Sequence, residues 1–228
     1  MTKREAQIEY ERQLRSVSDT FMLSDKLDSD TIFNDIDRGI KQFVDAVYTQ
    51  YEANQKLTDD LRLLTIEVVP PVTTVSTSIY QITYADNYQH LLSERVQILP
   101  IGVNACWPMS GDTYVPKDTS VVECTNENLQ NRLLNSLSEH QLHYTTAKPL
   151  RLRVTNGVKL FTDGTYSVSK YTCTYLKYPN SIKPTTNTVT DLKAQYTDLT
   201  EASLKQAITI AVSLRLSMMT ATKQKQAS

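Results

Sequence analysis

His140 and His143 stand three residues apart, where they share one helical face, and Glu139 adjoins them. Two imidazoles and a carboxylate are a zinc-type donor set. The helical pattern that would carry them ends at that point, however, and a strand pattern starts by Leu142, so both are read as loop or surface histidines. His90 has no sequence-local partner. Asp28, Asp30, Asp35 and Asp37 invite comparison with a calcium loop, but Ile32 falls where the fifth-position ligand belongs and the following glycine is missing. These four are read as helix-start and outer-face residues. Asp59 and Asp60 with Arg62 are read as a solvated turn or an intersubunit salt link. No serine lies in a Gly-x-Ser-x-Gly elbow, and five glycines in 228 residues leave little material for a backbone-lined phosphate cradle. The residues thus assign no catalytic, cofactor-binding or metal-ligating group, and predict no enzyme.

The thirteen tyrosines say more, because Tyr166, Tyr171, Tyr175 and Tyr178 gather around one strand. A tyrosine buries a large ring while keeping a polar end, which suits a sheet core, a subunit interface or a stacking surface for nucleic acid or glycan.

Composition narrows the classes. The chain holds 24 Lys+Arg against 25 Asp+Glu. Residues 1–67 carry nine basic and fourteen acidic groups, so the remainder has the surplus of positive charge. No concentrated basic footprint of the kind a nucleic-acid module needs is evident. The asymmetry suits head-to-tail or ring contacts between acidic and basic surfaces. Cys106, Cys124 and Cys173 are odd in number and widely spaced, which favours a reducing compartment over a disulfide framework. No secretory signal and no apolar run long enough to span a bilayer is expected.

The elements that must position these groups follow from periodicity. Ala6, Tyr10, Leu14 and Val17 recur on one face of a helix over residues 2–17, opposite Glu5, Glu9, Arg12 and Arg15. Phe21, Met22 and Leu23 form an apolar plug before Ser24-Asp25. A second helix starts near Asp28 or Ser29, either of which can cap it, and runs towards Tyr51. Phe33, Ile36, Ile40, Phe43, Val44, Val47 and Tyr51 line its broad apolar face. Gly39 interrupts it at a cost of about 1 kcal/mol in helix propensity and marks a close approach of another backbone. Residues 56–62 read as a charged connection, and Pro70-Pro71 ends regular structure, with the main boundary at residues 64–71.

From Val72 to Tyr178 the pattern is strand and loop. Val75, Thr77, Ile79, Gln81 and Thr83 share one parity, and Val96, Ile98 and Pro100 end another strand. Trp107-Pro108 and Gly111-Asp112 read as irregular loop. Leu129, Leu133, Leu134 and Leu137 predict a short inserted helix within residues 125–138. Leu150 to Val154, an Asn156-Gly157 type I′ turn, Val158 to Phe161, an Asp163-Gly164 turn and Tyr166 to Tyr175 predict a three-stranded antiparallel meander. Asp198 and Glu201 form a capping box for a last helix through Leu204, Ala207, Ile208, Ala211, Val212, Met218 and Met219, with a frayed tail beyond Ala221. The expected fold is α+β: a helical part from both chain ends (residues 1–67 and 181–228) packed with a central antiparallel β-rich region (residues 68–180).

The segment Lys26-Leu27-Asp28-Ser29-Asp30-Thr31-Ile32-Phe33, then Thr58-Asp59-Asp60-Leu61-Arg62, resembles the start of small virion proteins of crAss-like podoviruses. Tyr175-Leu176-Lys177-Tyr178-Pro179 and the closing run from Leu199 to Val212 are similar in the same order. The resemblance implies a structural head-to-tail connector, made in the host cytoplasm and placed in the virion at the portal–tail junction, where double-stranded DNA passes during ejection. It implies a twelve-fold ring of copies, with the portal and neighbouring connector or tail proteins as partners. Phe33, Ile40, Phe43, Asp59, Asp60, Arg62, Trp107, Tyr171, Tyr175, Tyr178 and Arg215 are the candidate interface residues. The alternative is a tail-associated or host-surface binding module that uses the Thr/Tyr-rich strands.

Overall fold

The computed structural model describes residues 1–17, 27–50, 59–104, 106–143, 145–186 and 188–226, with backbone alone for 221–226. Phe21, Met22, Leu23, Ser24, Asp25, Tyr51 and residues 56–58 lie outside the described residues. The fold is α+β, with helices near both chain ends and a central, mostly antiparallel β region. It divides into two compact units: residues 1–64 with 178–228, and residues 65–177.

The helical unit contains α1 (Lys3–Val17) and α2 (Ser29–Tyr48). It also holds the short α4 (Val189–Leu192) and the long α5 (Glu201–Gln226). Its core is the apolar stripe expected for each helix. Ala6, Tyr10 and Leu14 of α1 are buried, as are Phe33, Ile36, Ile40, Phe43, Val44 and Val47 of α2 and Leu204, Ala207, Ile208, Ala211 and Val212 of α5. Removing each large side chain from water contributes about 1.5–3 kcal/mol, so the α2 face easily offsets its glycine. Gly39 does admit another backbone: a Cβ there would stand 2.4 Å from the Ala207 carbonyl oxygen and 2.7 Å from Ala211 Cβ. Asp35 approaches Arg215 while Gly39 abuts Ala207 and Ala211, so α2 packs on α5 over more than one turn. The start of α1 is tied ahead of α5 by Lys3 N to Ala194 O and by the Lys3–Asp191 ion pair, and Gln13 then meets Thr209.

Several local expectations change. The α1 face ends at Leu14, and Val17 is exposed. Asp28 takes the N-cap position of α2 with extended backbone but makes no side-chain capping bond. The cap of α5 is Thr200, whose Oγ1 accepts the Ser203 amide at 3.2 Å. Asp198 instead accepts both nitrogens of Asn180, at 2.7 and 2.8 Å, so the predicted box is replaced by a tie to the preceding loop. Helix α5 continues to Gln226, past the expected fraying point.

The β unit has two main sheets. One is ordered β1 (Thr65–Val68), β11 (Tyr166–Lys177), β4 (Tyr88–Pro100), β7 (Lys117–Thr119). The other is ordered β2 (Val72–Ser76), β3 (Ile79–Thr83), β10 (Gly157–Phe161), β9 (Leu150–Val154), β8 (Val122–Cys124). All pairs are antiparallel except β8 with β9. The chain changes sheet at Pro70-Pro71 and again at Ser120-Val121, so each corner joins two edge strands. Tyr80, Ile82, Val158 and Leu160 of one sheet and Val96, Ile98, Val168, Tyr171, Cys173 and Tyr175 of the other form one core. A smaller core, Cys124, Leu150 and Phe161, is covered by Leu129 and Leu133 of α3 (Asn126–Leu134).

The predicted meander does not form. Strands β9 and β10 make the expected hairpin, but β11 leaves it for the other sheet, between β1 and β4. The turn residues are Thr155 and Asn156, one position earlier than expected, and Gly157 already pairs with Val154. A Cβ on Gly157 would lie 2.0 Å from the Ile82 carbonyl oxygen, so this glycine serves strand packing. The single strand expected around residues 75–83 is a hairpin broken at Thr77-Ser78, with Tyr80 and Ile82 buried instead of the odd positions. The mixed faces of β11 have a cause: its register against β4 shifts between Val168 and Lys170. This bulge moves burial from Tyr166 and Val168 to Tyr171, Cys173 and Tyr175. Leu134 and Leu137 do not share the α3 packing face and are exposed. Trp107 is buried beside the small hairpin of β5 (Met109–Ser110) and β6 (Thr113–Tyr114).

Candidate functional site

A polar cluster in the β unit joins its two sheets. Tyr171 of β11 donates its hydroxyl to Glu94 Oε2 at 2.7 Å, and the Tyr84 hydroxyl lies 2.8 Å from that of Tyr171. Because the Tyr171 proton points to Glu94, Tyr84 is the donor of the second bond. Glu94 of β4 places Oε1 2.7 Å from Nη1 of Arg151 on β9. Arg151 Nη2 lies 2.9 Å from Glu123 Oε1, which in turn is 3.4 Å from Arg153 Nε. The cluster alternates donor and acceptor from the four-stranded sheet into the five-stranded one. Burial raises the Glu94 carboxyl above its ordinary range, while the Tyr171 hydroxyl and the Arg151 guanidinium pull it back. Burial also raises the hydroxyls of Tyr84 and Tyr171, so both stay protonated as donors. This is the chemistry of a strut between sheets, a carboxylate held by a cation and a phenol.

Beside it lies a cleft of about 370 Å³ between the turn after β3 and the β9–β10 hairpin, lined by Tyr84, Asp86, Tyr88, Arg153 and Asn156. The Tyr84 and Tyr88 rings stack with centroids 4.3 Å apart, and Tyr88 leans on Tyr175 at 5.3 Å. Aromatic faces beside a guanidinium and a carboxylate suit contact with a polar surface.

None of Tyr84, Tyr88, Glu94, Arg151 or Arg153 was marked as a site by sequence. The run Leu150-Arg151-Leu152-Arg153-Val154 reads only as an alternating strand. In the structure Leu150 packs under α3 while Arg151 is buried towards Glu94. Alternation identifies two faces but not which one meets the second sheet.

The candidate interface residues separate by exposure. Phe33, Ile40 and Phe43 are buried in the helical unit, and Trp107, Tyr171 and Tyr175 in the β unit. The Trp107 indole donates to Val115 O at 2.7 Å, and the Tyr175 hydroxyl to Asn87 Oδ1 at 3.0 Å. These six side chains pack inside the chain, so their apolar area is already covered; for Tyr171 and Tyr175 this is the sheet-core alternative, while Phe33, Ile40, Phe43 and Trp107 are corrected from contact residues to internal packing. Asp59, Arg62 and Tyr178 are exposed. Asp60 accepts the Ser203 hydroxyl at 2.9 Å, which anchors the start of α5 within the same unit. Arg215 lies 3.8 Å from buried Asp35, which also accepts the Tyr10 hydroxyl at 2.9 Å. Asp35 is thus an inward-facing acid, whereas Asp37 accepts the Ile182 amide and the Ser181 hydroxyl.

His140 lies in a turn, as the loop reading has it, but its side chain is buried, and desolvation lowers its pKa. Among the described residues no group of three or more His, Cys, Asp or Glu side chains is arranged to hold a metal ion, and no helix is long and apolar enough to cross a membrane. The segment between β4 and β7 carries exposed Ile101, Val103, Met109 and Val115. Compared with models of protein families and with curated proteins, the chain finds no match.

Proposed function

We propose that the chain is a structural virion protein, a subunit of a ring between portal and tail that surrounds the path of double-stranded DNA. The resemblance of residues 26–33, 58–62, 175–179 and 199–212 to connector proteins of crAss-like podoviruses motivates the reading. The observation that carries it is the build of the subunit: both chain ends close one helical unit, and the whole β unit is inserted between residues 64 and 178. A chain of this kind has two separate surfaces to offer, one to copies of itself around the ring and one to the next component. The exposed apolar side chains Ile101, Val103 and Met109 give the β unit a contact segment of the second kind. Many weak contacts made together hold such a joint, because the first to form raises the effective concentration of the rest.

The cleft beside Tyr84, Tyr88 and Arg153 favours a second reading, a tail-associated or host-surface binding module. The two readings part experimentally. A connector becomes ordered as a ring on purified portal, whereas a binding module attaches to a host envelope fraction as a monomer or small oligomer. Absence of assembly with portal at high protein concentration, together with specific host binding, rejects the ring.

A further inference from the structure

We infer that the outer edge of β2 is a docking edge for the β8 edge of a second copy of this chain, so that the five-stranded sheet continues from one subunit to the next. The inference deepens the ring reading and rests on it. From Val68 to Ala85 the sequence has no charged residue. Within this run Thr73, Thr74, Val75 and Ser76 are all exposed, so both faces of β2 meet solvent. Among the described residues, no strand pairs with its outer edge. Of the devices that ordinarily guard such an edge, β2 has a register irregularity between Thr74 and Ser76 but no lysine, inward charge or proline within the strand. Pro70-Pro71 stops short of the strand, and among the described residues no strand takes up the outer backbone groups of β2, which sit next to β-branched side chains. That is the surface an added strand recognises.

The partner edge is found in the same sheet. Strand β8 ends the sheet at its other side, again with no strand beyond it among the described residues. Strand β8 is parallel to β9, and β9, β10, β3 and β2 alternate in direction, so β2 and β8 point opposite ways. Two copies set side by side without turning the sheet over therefore bring β8 of one antiparallel to β2 of the next. Such a contact is head-to-tail, and repeated by rotation it closes a ring, whereas β2 against β2 stops at two copies. Charge does not oppose it. Strand β2 is neutral, and Glu123, the acid of β8, is paired within its own chain to Arg151 and Arg153.

The test uses the full chain with its portal. Lysines at two exposed positions, Thr74→Lys with Val75→Lys, should leave the thermal transition unchanged and reduce ring formation at least tenfold by electron microscopy and light scattering. In a Cys106→Ser background, Thr74→Cys and Ser120→Cys proteins mixed with a short bismaleimide should give a cross-linked dimer that neither gives alone. Rings formed equally well by the lysine variant overturn the inference and leave the ring reading standing. A Thr74→Cys dimer formed alone overturns it in favour of a two-fold contact. Wild-type protein that stays monomeric with portal rejects both.

Discussion

Replacing Gly39 with alanine sets two known effects against each other at one atom. In a solvent-facing helix the change gains about 1 kcal/mol, because glycine has the larger entropy to lose. Here the new Cβ would stand 2.4 Å from Ala207 O, 2.7 Å from Ala211 Cβ and 2.9 Å from Ala211 N. Two of these neighbours are backbone atoms of α5 and cannot rotate away. Relief requires α2 and α5 to separate by roughly 1 Å, which loosens the Phe33, Ile40 and Phe43 side of the core, and such overpacking costs about 1–3 kcal/mol or more. The clash involves three contacts at once, so the upper end applies, and the expected net loss is about 2 kcal/mol. Urea unfolding followed by circular dichroism at a helical wavelength measures it as a lower midpoint at unchanged slope. Removing the Ala211 methyl in the Gly39→Ala background should restore only part of the loss, since the Ala207 carbonyl remains in place. A Gly39→Ala protein as stable as wild type, or more so, would refute the close approach of the two helices.

Other expectations follow from the buried polar groups. Arg151→Met leaves Glu94 without its cation and should cost about 3–5 kcal/mol, while Arg151→Met with Glu94→Leu should recover much of it. Without the guanidinium the Glu94 carboxyl rises further, so the penalty of the single variant should be larger at about pH 8 than at about pH 5 in denaturant titrations. His140 has a folded-state pKa below its ordinary 6.5, so the unfolded chain takes up its proton first as the pH falls. Its share of stability is complete above pH 6.5 and is lost on acidification, and His140→Phe should flatten that decline in thermal melts. A thiol reagent should modify exposed Cys106 quickly in the native protein and reach Cys124 and Cys173 only on unfolding, burial having pushed Cys173 up to about 12. Fast reaction at more than one thiol in the native state would contradict the burial of the other two.

What sequence makes legible here is local, and what it misses depends on tertiary choice. The α2 stripe and its glycine can be read because a helical face has one period and only one side of it is apolar. Strand β11 cannot be read that way, since one bulge near Ser169 exchanges its buried parity and a pattern of fixed period has no term for it. The meander failed for a related reason: two turns in succession specify reversals of the chain but not the sheet that receives the third strand. The burial of His140 and of Arg151 is not legible in the sequence, because partners for buried polar groups come from distant strands. Residue type alone likewise does not separate a core aromatic from a contact one, and Trp107, Tyr171 and Tyr175 pack in the core of the β unit, where the sheet-core reading of the tyrosine strand puts the two tyrosines.

The central claim is assembly, and the most direct measurement is electron microscopy of the purified chain mixed with its portal, at a resolution sufficient to count subunits. The ring reading predicts a closed ring coaxial with the portal, with copies in the portal's symmetry and the β unit in contact with a neighbouring component. A chain that remains monomeric beside the portal and adds no ordered density to it would contradict the account.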